Sequence, residues 1–171
     1  MNMSRQNKSI LNPDKGKPDR GKPYKFLVLA CCCLIMGVFS HCFAADTIVD
    51  SRGRQIEIKT PFKRIISLYG AHTENLFSLG LNDEIIGVSV NDSFPAQALE
   101  KQKFSFHDDP EKFIAHGPDL VLIRPMIDNG YPQFVQQLER YGITVVSLQP
   151  ATIQEMYVYW LTLGRLSGRQ D

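Results

Sequence analysis

The chain has 171 residues, with 19 Lys or Arg against 18 Asp or Glu, a net charge of +1, and four cysteines. The 127 residues after position 44 suit one domain, and no basic cluster interleaved with aromatics remains among them to argue for a nucleic-acid partner. The balance hides a division: residues 1–25 hold seven Lys or Arg against Asp14 and Asp19, whereas after residue 44 acidic residues exceed basic ones by four.

The amino terminus decides the compartment. The basic stretch is followed by an uncharged run, "FLVLACCCLIMGVF", residues 26–39, too short for the ~20 residues of an ordinary membrane-spanning helix. Cys42 and Ala44 then supply the small-x-small spacing of a cleavage site. Residues 1–44 therefore read as a secretory signal peptide, cut after Ala44, and the protein as periplasmic. An uncleaved anchor is the alternative; a lipoprotein is disfavoured by the poor motif before Cys42. All four cysteines (Cys31, Cys32, Cys33 and Cys42) fall inside this segment. The exported chain then has no disulfide framework and depends on its core alone.

The first element after the signal is a hairpin, "TIVDSRGRQIEI", with Gly53 supplying the turn. Ile65 to Leu68 is a buried strand leading through Tyr69-Gly70-Ala71-His72-Thr73 into a helix over about 72–79, stopped by Gly80. "EIIGVSV" is a second strand. Asp109, Pro110 and Glu111 mark a helix start that ends at Gly117-Pro118. "LVLIRP" is a third strand, "YPQFVQQLERYG" a helix and "ITVVSLQP" a fourth strand. Thr152-x-x-Glu155 is a capping box opening a last helix with Ile153, Met156, Tyr157, Trp160 and Leu163 at helical spacing. Continuous apolar strands alternating with helices imply an α/β fold, a parallel sheet with helices on both faces. The strand ends share one rim, carrying Tyr69 to Thr73, Ser89 to Asp92, Arg124 to Met126, and Gln149-Pro150.

Catalytic signatures are absent: no G-x-S-x-G elbow, no phosphate loop and no G-x-G-x-x-G after a strand. His72, His107 and His116 lack the i, i+4 spacing of a helical metal site, although His72, Glu74 and His107 could meet in space. His116 suits a helix carboxyl end, and Glu74 the first turn of its helix. Tyr69 is either a packed tyrosine or part of a binding lip. Arg124, at a strand end, either faces a ligand with carboxylate-like groups or needs a carboxylate partner nearby. Met126 and Tyr131 divide between core and ligand platform.

"ISLYGAHTENLFSLGL…DEIIGVS", "DDPEKFIAHGPDLVLIRP" and "YGITVVSLQPATIQEM" resemble the periplasmic substrate-binding proteins of iron-siderophore, haem and cobalamin ABC importers, from about Asp46 onward. The resemblance implies two Rossmann-like lobes joined by a long helix, with ligand held between them and no catalysis. On it, residues 45–151 correspond to the amino-terminal ligand-binding lobe and 152–171 to the start of the interlobe helix, with the second lobe absent. It implies ligand contacts from Tyr69, His72, Ser105, Phe106, His107, Arg124, Pro125 and Met126, and docking of Glu111 on an ABC permease. It implies no cofactor, the bound metal chelate itself carrying iron or cobalt. The part of the last helix beyond about Trp160 is then expected to be uncovered, with residues 165–171 frayed. The rivals are an α/β enzyme using His72 or His107, and a ligand-sensing lobe unconnected with transport.

Overall fold

The computed structural model describes residues 46–170. The expected signal segment 1–44, its expected cleavage site and the four cysteines lie outside the described residues. The hairpin forms as expected: β1 (Asp46–Val49) pairs antiparallel with β2 (Gln55–Ile58), and Gly53 turns it with φ +77°. Next come β3 (Ile65–Ser67), α1 (Gly70–Ser78), β4 (Ile85–Ser89), a 3₁₀ turn over Ala96–Glu100, and β5 (Gln102–Phe104). They are followed by α2 (Pro110–His116), β6 (Leu120–Ile123), α3 (Pro125–Gly130), α4 (Pro132–Arg140), β7 (Thr144–Ser147) and α5 (Ile153–Ser167).

Five strands, not four, make the sheet, in the order β5-β4-β3-β6-β7 and all parallel. The extra strand is β5. Only three residues long and two of them polar, it has no hydrophobic periodicity to betray it. Phe104 anchors it from a neighbouring strand: a Cβ on Gly87 of β4 would stand 2.3 Å from the Phe104 ring, so glycine there makes room for the plug.

Alternation along the strands splits the core into two layers. Ile65, Leu120, Leu122 and Val146 face one way, into a cluster completed by Leu76 of α1, Leu163 and Leu166 of α5, and Ile48 and Ile58 of the hairpin. Ile66, Val121, Ile123 and Val145 face the other way, onto Phe113 of α2, Ile127 of α3 and Phe134 and Leu138 of α4. Both faces are thus covered, as a parallel sheet requires.

Gly117 closes α2 in the left-handed region at φ +57°, and His116 is its last residue, as expected. Asp109 occupies the N-cap position, but its side chain makes no capping hydrogen bond. Thr152 does cap α5, its Oγ1 accepting from the Glu155 amide at 3.2 Å, while Glu155 reaches back to the Ala151 amide at 2.7 Å. Helix α1 begins at Gly70, two residues earlier than expected, so Glu74 lies in the second turn and not in the first.

The largest departure concerns α5. Its carboxyl half is the covered part: Tyr159, Leu163 and Leu166 are buried in the core, the Phe62 amide donates to the Leu166 carbonyl at 2.9 Å, and Arg165 pairs with Asp46. The expected exposure and fraying beyond Trp160 is therefore not found over 162–167, which is helical and largely buried, while Leu161 and residues 168–170 are exposed. A second apolar stripe is uncovered instead, formed by Ile153, Tyr157, Val158, Trp160 and Leu161, with Tyr157 61% exposed. The helix is apolar on two faces, and sequence spacing alone does not say which one meets the sheet. No helix among the described residues is long and apolar enough to cross a membrane.

Candidate ligand-binding rim

The sheet is wound outward in both directions from its middle. From β3 the chain moves to β4 and β5, then crosses back to β6 and β7. The crevice between β3 and β6 is thus the topological switch point, where open α/β sheets place ligands. Tyr69 follows β3 there and Arg124 follows β6, in register through the Leu68 amide bonded to the Leu122 carbonyl at 2.9 Å.

Both residues are helix N-caps with extended backbones, at φ −148° and −110°. The Tyr69 carbonyl accepts from the His72 and Thr73 amides, and the Arg124 carbonyl from the Ile127 and Asp128 amides. Their side chains meet above the sheet edge. The Arg124 guanidinium lies over the Tyr69 ring, 5.0 Å from its centroid. Among the described residues Arg124 pairs with no carboxylate, so the structural partner that would explain it away is not there.

Helix α3 carries the rim sideways. Pro125 opens it, Met126 is 44% exposed beside Arg124, and Tyr131 closes it. Tyr131 packs against Phe106 and His107, centroids 4.9 and 5.1 Å away, and those two rings stand 4.3 Å apart. Three rings from the β5–α2 loop and the α3–α4 junction so form an aromatic shelf. Ser105 shapes that loop: its Oγ accepts from the His107 amide at 3.2 Å, while its own amide donates to Asp108 at 2.9 Å. Glu111 is exposed in the first turn of α2, which starts at the same rim.

His72 is elsewhere. It is 0% exposed. Its Nε2 faces the Ile123 carbonyl at 3.1 Å, which can only accept, so the proton resides on Nε2. Nδ1 then accepts from the Tyr159 hydroxyl at 2.8 Å. Burial pulls the imidazole pKa from 6.5 to about 4, against hydrogen bonds that favour the charged form. The expectation that His72 offers a polar contact at the rim is corrected: it is a neutral core histidine with both nitrogens engaged. The enzyme alternative based on His72 loses its free nitrogen with it. The trio His72, Glu74 and His107 does not assemble either; among the described residues no group of three or more His, Cys, Asp or Glu could hold a metal ion.

Tyr131 and Asp92, both named from the sequence, sit in contacts that the sequence does not show. Tyr131 belongs to the shelf only because α3 exists to bring it there. Asp92, after β4, is buried beside the lip: Thr73 donates its hydroxyl proton to it, and the Ser89 amide donates at 3.2 Å. Desolvation raises the Asp92 pKa against these bonds. The pattern "Thr73…Asp92" has no spacing rule that would reveal it.

Size limits what the rim does alone. The recess beside Tyr69, between α1 and α5 and lined by Asn75, Gln149, Pro150, Met156 and Tyr159, holds about 130 Å³. Enclosing small-molecule sites run to ~300–1,000 Å³. The lobe offers a face, not an enclosure.

No protein-family model matches the chain. It is 32% identical over 126 residues to an uncharacterized ABC transporter substrate-binding lipoprotein, YvrC, of Bacillus subtilis (strain 168), covering 72% of this chain and 40% of that protein. It is 33% identical over 98 residues to the vitamin B12-binding protein of Vibrio cholerae, covering 56% of this chain and 35% of that protein. Among solved structures, a possible iron-binding (periplasmic solute-binding) protein from Staphylococcus epidermidis superposes with a TM-score of 0.60 at 31% identity, over 65% of this chain and 44% of that one. The resemblance expected from the sequence is met. The chain is a homologue of ABC-transporter substrate-binding proteins, and it spans 40% or less of the length of these two curated relatives.

Proposed function

We propose that this homologue of ABC-transporter substrate-binding proteins forms one wall of an extracytoplasmic binding site for a metal chelate of the haem, cobalamin or iron-siderophore class. The observation that carries the reading is Arg124: a half-buried guanidinium at the switch point, stacked on Tyr69 and free of any carboxylate among the described residues. Such a group is ready for an anionic substituent of a flat ligand, because its planar fork matches carboxylate geometry while its face stacks on an aromatic ring. The shelf of Phe106, His107 and Tyr131, with Pro125 and Met126, offers apolar and aromatic area for the macrocycle or catechol rings of such a chelate.

Binding is the whole of the activity in this reading, without catalysis and without a resident cofactor; any iron or cobalt arrives inside the cargo. The partner is an ABC permease at the inner membrane, with Glu111 as the docking carboxylate. Signal-peptide export puts the protein in the periplasm. Titration of the chain with haemin, cyanocobalamin and a ferric catecholate, followed by absorbance, tests the ligand class. Saturable binding of one of them, weakened by Arg124→Ala, supports the reading. No binding of any of the three overturns it.

A further inference from the structure

The hairpin was singled out in the sequence, yet it meets the rim at backbone, Ser51 Oγ accepting from the Gln149 amide at 3.1 Å. Its turn also carries a charged network that points at the rim's support. Asp128 of α3 is buried, and each of its carboxylate oxygens is taken by a different arginine of the turn. Arg52 Nη1 donates to Oδ1 at 2.9 Å and Arg54 Nη2 to Oδ2 at 2.8 Å, across 76 and 74 residues of chain. The turn is itself fixed. Asp50, also buried, accepts from the Arg52 and Arg54 amides and from Arg54 Nε, each at 2.9 Å. The Ser51 amide donates to the Ser147 carbonyl at the end of β7, 2.8 Å away.

A buried ionic cluster of this kind adds little net stability over an apolar packing of the same volume, because each charge is first stripped of water. What it supplies is a single geometry, since two arginines, each donating one N–H to a different oxygen, fit one carboxylate position. That position is in the middle of a six-residue helix whose two ends are the rim. Arg124 precedes it and Tyr131 follows it, and a helix this short is not stable by itself.

We infer that Asp128, held by Arg52 and Arg54, is a positioning residue: through α3 the hairpin turn sets the place of Arg124 over Tyr69 and of Tyr131 against Phe106. The role of these positions in ligand capture rests on the proposed function, but the positioning does not.

Amide hydrogen exchange on the full chain separates the two. The amides of Ile127, Asp128 and Tyr131 report α3, and the Leu68 amide, bonded across the sheet, serves as control. Asp128→Asn and Arg52→Gln should each speed exchange at the α3 amides by about ten-fold or more, the effect of losing one charge-assisted hydrogen bond from a local opening. Leu68 should stay protected, and Arg52→Lys should restore most of the protection. The Arg52 variant matters because Arg52 is exposed, and its loss still leaves Asp128 one partner should Asp128→Asn fail to fold. Unchanged exchange in α3 overturns the inference, as does an equal loss at α3 and Leu68, which would make the cluster a global stabiliser. Titration with haemin and cyanocobalamin forms the second arm. Asp128→Asn should weaken binding in the parent and add nothing in an Arg124→Ala, Tyr131→Ala background; an equal further loss there overturns the link to the rim. Altered exchange in a chain that binds none of haemin, cyanocobalamin and the ferric catecholate would sink the proposed function and leave the positioning standing.

Discussion

Replacing Arg124 by alanine separates a ligand group from a structural one, because the two roles predict opposite losses. Its guanidinium touches one thing that matters to the fold, the Tyr69 ring at 5.0 Å. A partly exposed cation–π contact contributes ~0.5–1 kcal/mol. In a fold of this size, that lowers the melting temperature by about 4 °C or less. Affinity should respond more strongly. A hydrogen-bonded guanidinium facing an anionic substituent contributes ~1.5–3 kcal/mol, so the dissociation constant for haemin, with its two propionates, should rise roughly 10- to 150-fold. Arg124→Lys should recover only part of this, since an ammonium keeps the charge but loses the fork and the stacking. Thermal melts and absorbance titrations on the same samples give both quantities. Marked unfolding without a change in affinity would refute the reasoning and make Arg124 part of the scaffold.

His72 should confer a pH dependence on stability. Its folded pKa is about 4 against 6.5 unfolded, so the unfolded chain takes up a proton that the fold refuses. Stability is then full above pH 6.5 and falls by roughly 3 kcal/mol as pH drops to about 4; His72→Gln should flatten that slope in urea melts, and an unchanged slope would place the titration elsewhere. Gly87→Ala should destabilise the fold by ~1–3 kcal/mol by forcing a methyl against Phe104, and Phe104→Leu should cost less in that background than alone; strict additivity in denaturant melts would show that the two do not collide. The uncovered stripe on α5 should drive concentration-dependent association in sedimentation, reduced by Tyr157→Lys with Leu161→Lys; a monomer at every concentration would count against it.

Much of this was legible where local chemistry and tertiary structure agree. The four apolar strands, the αL glycine at 117 and the Thr152 cap each follow from residues within a few positions of the feature. Failures came where a distant residue decides. His72 looks the same in sequence whether it faces solvent or core; Tyr159, 87 residues on, settles the matter. Strand β5 depends on Phe104 finding a glycine in β4, and helix α3 depends on arginines 74 and 76 residues earlier. The face of α5 that is buried was chosen by the hairpin and sheet, not by the helix. At the rim, Tyr69 and Arg124 were recognisable as strand-end residues, but their stacking was not, since the order of strands in the sheet is what makes them neighbours.

The long sequence separation of the hairpin's anchors bears on the order of folding. Among the described residues, the ties it makes outside itself run far ahead along the chain: 76 residues to Asp128, 97 to Ser147 and 119 to Arg165. A chain emerging from its amino end produces the hairpin first, yet an isolated two-stranded hairpin is marginal in water. It must wait until the sheet has closed around β6 and β7 before its arginines meet their acid. The strands β3 and β4, separated by a single helix, can associate long before that, because short loops close at the lowest entropic cost. The first element of the described residues is thus expected to be secured late, and until then α3 lacks the clamp that holds it.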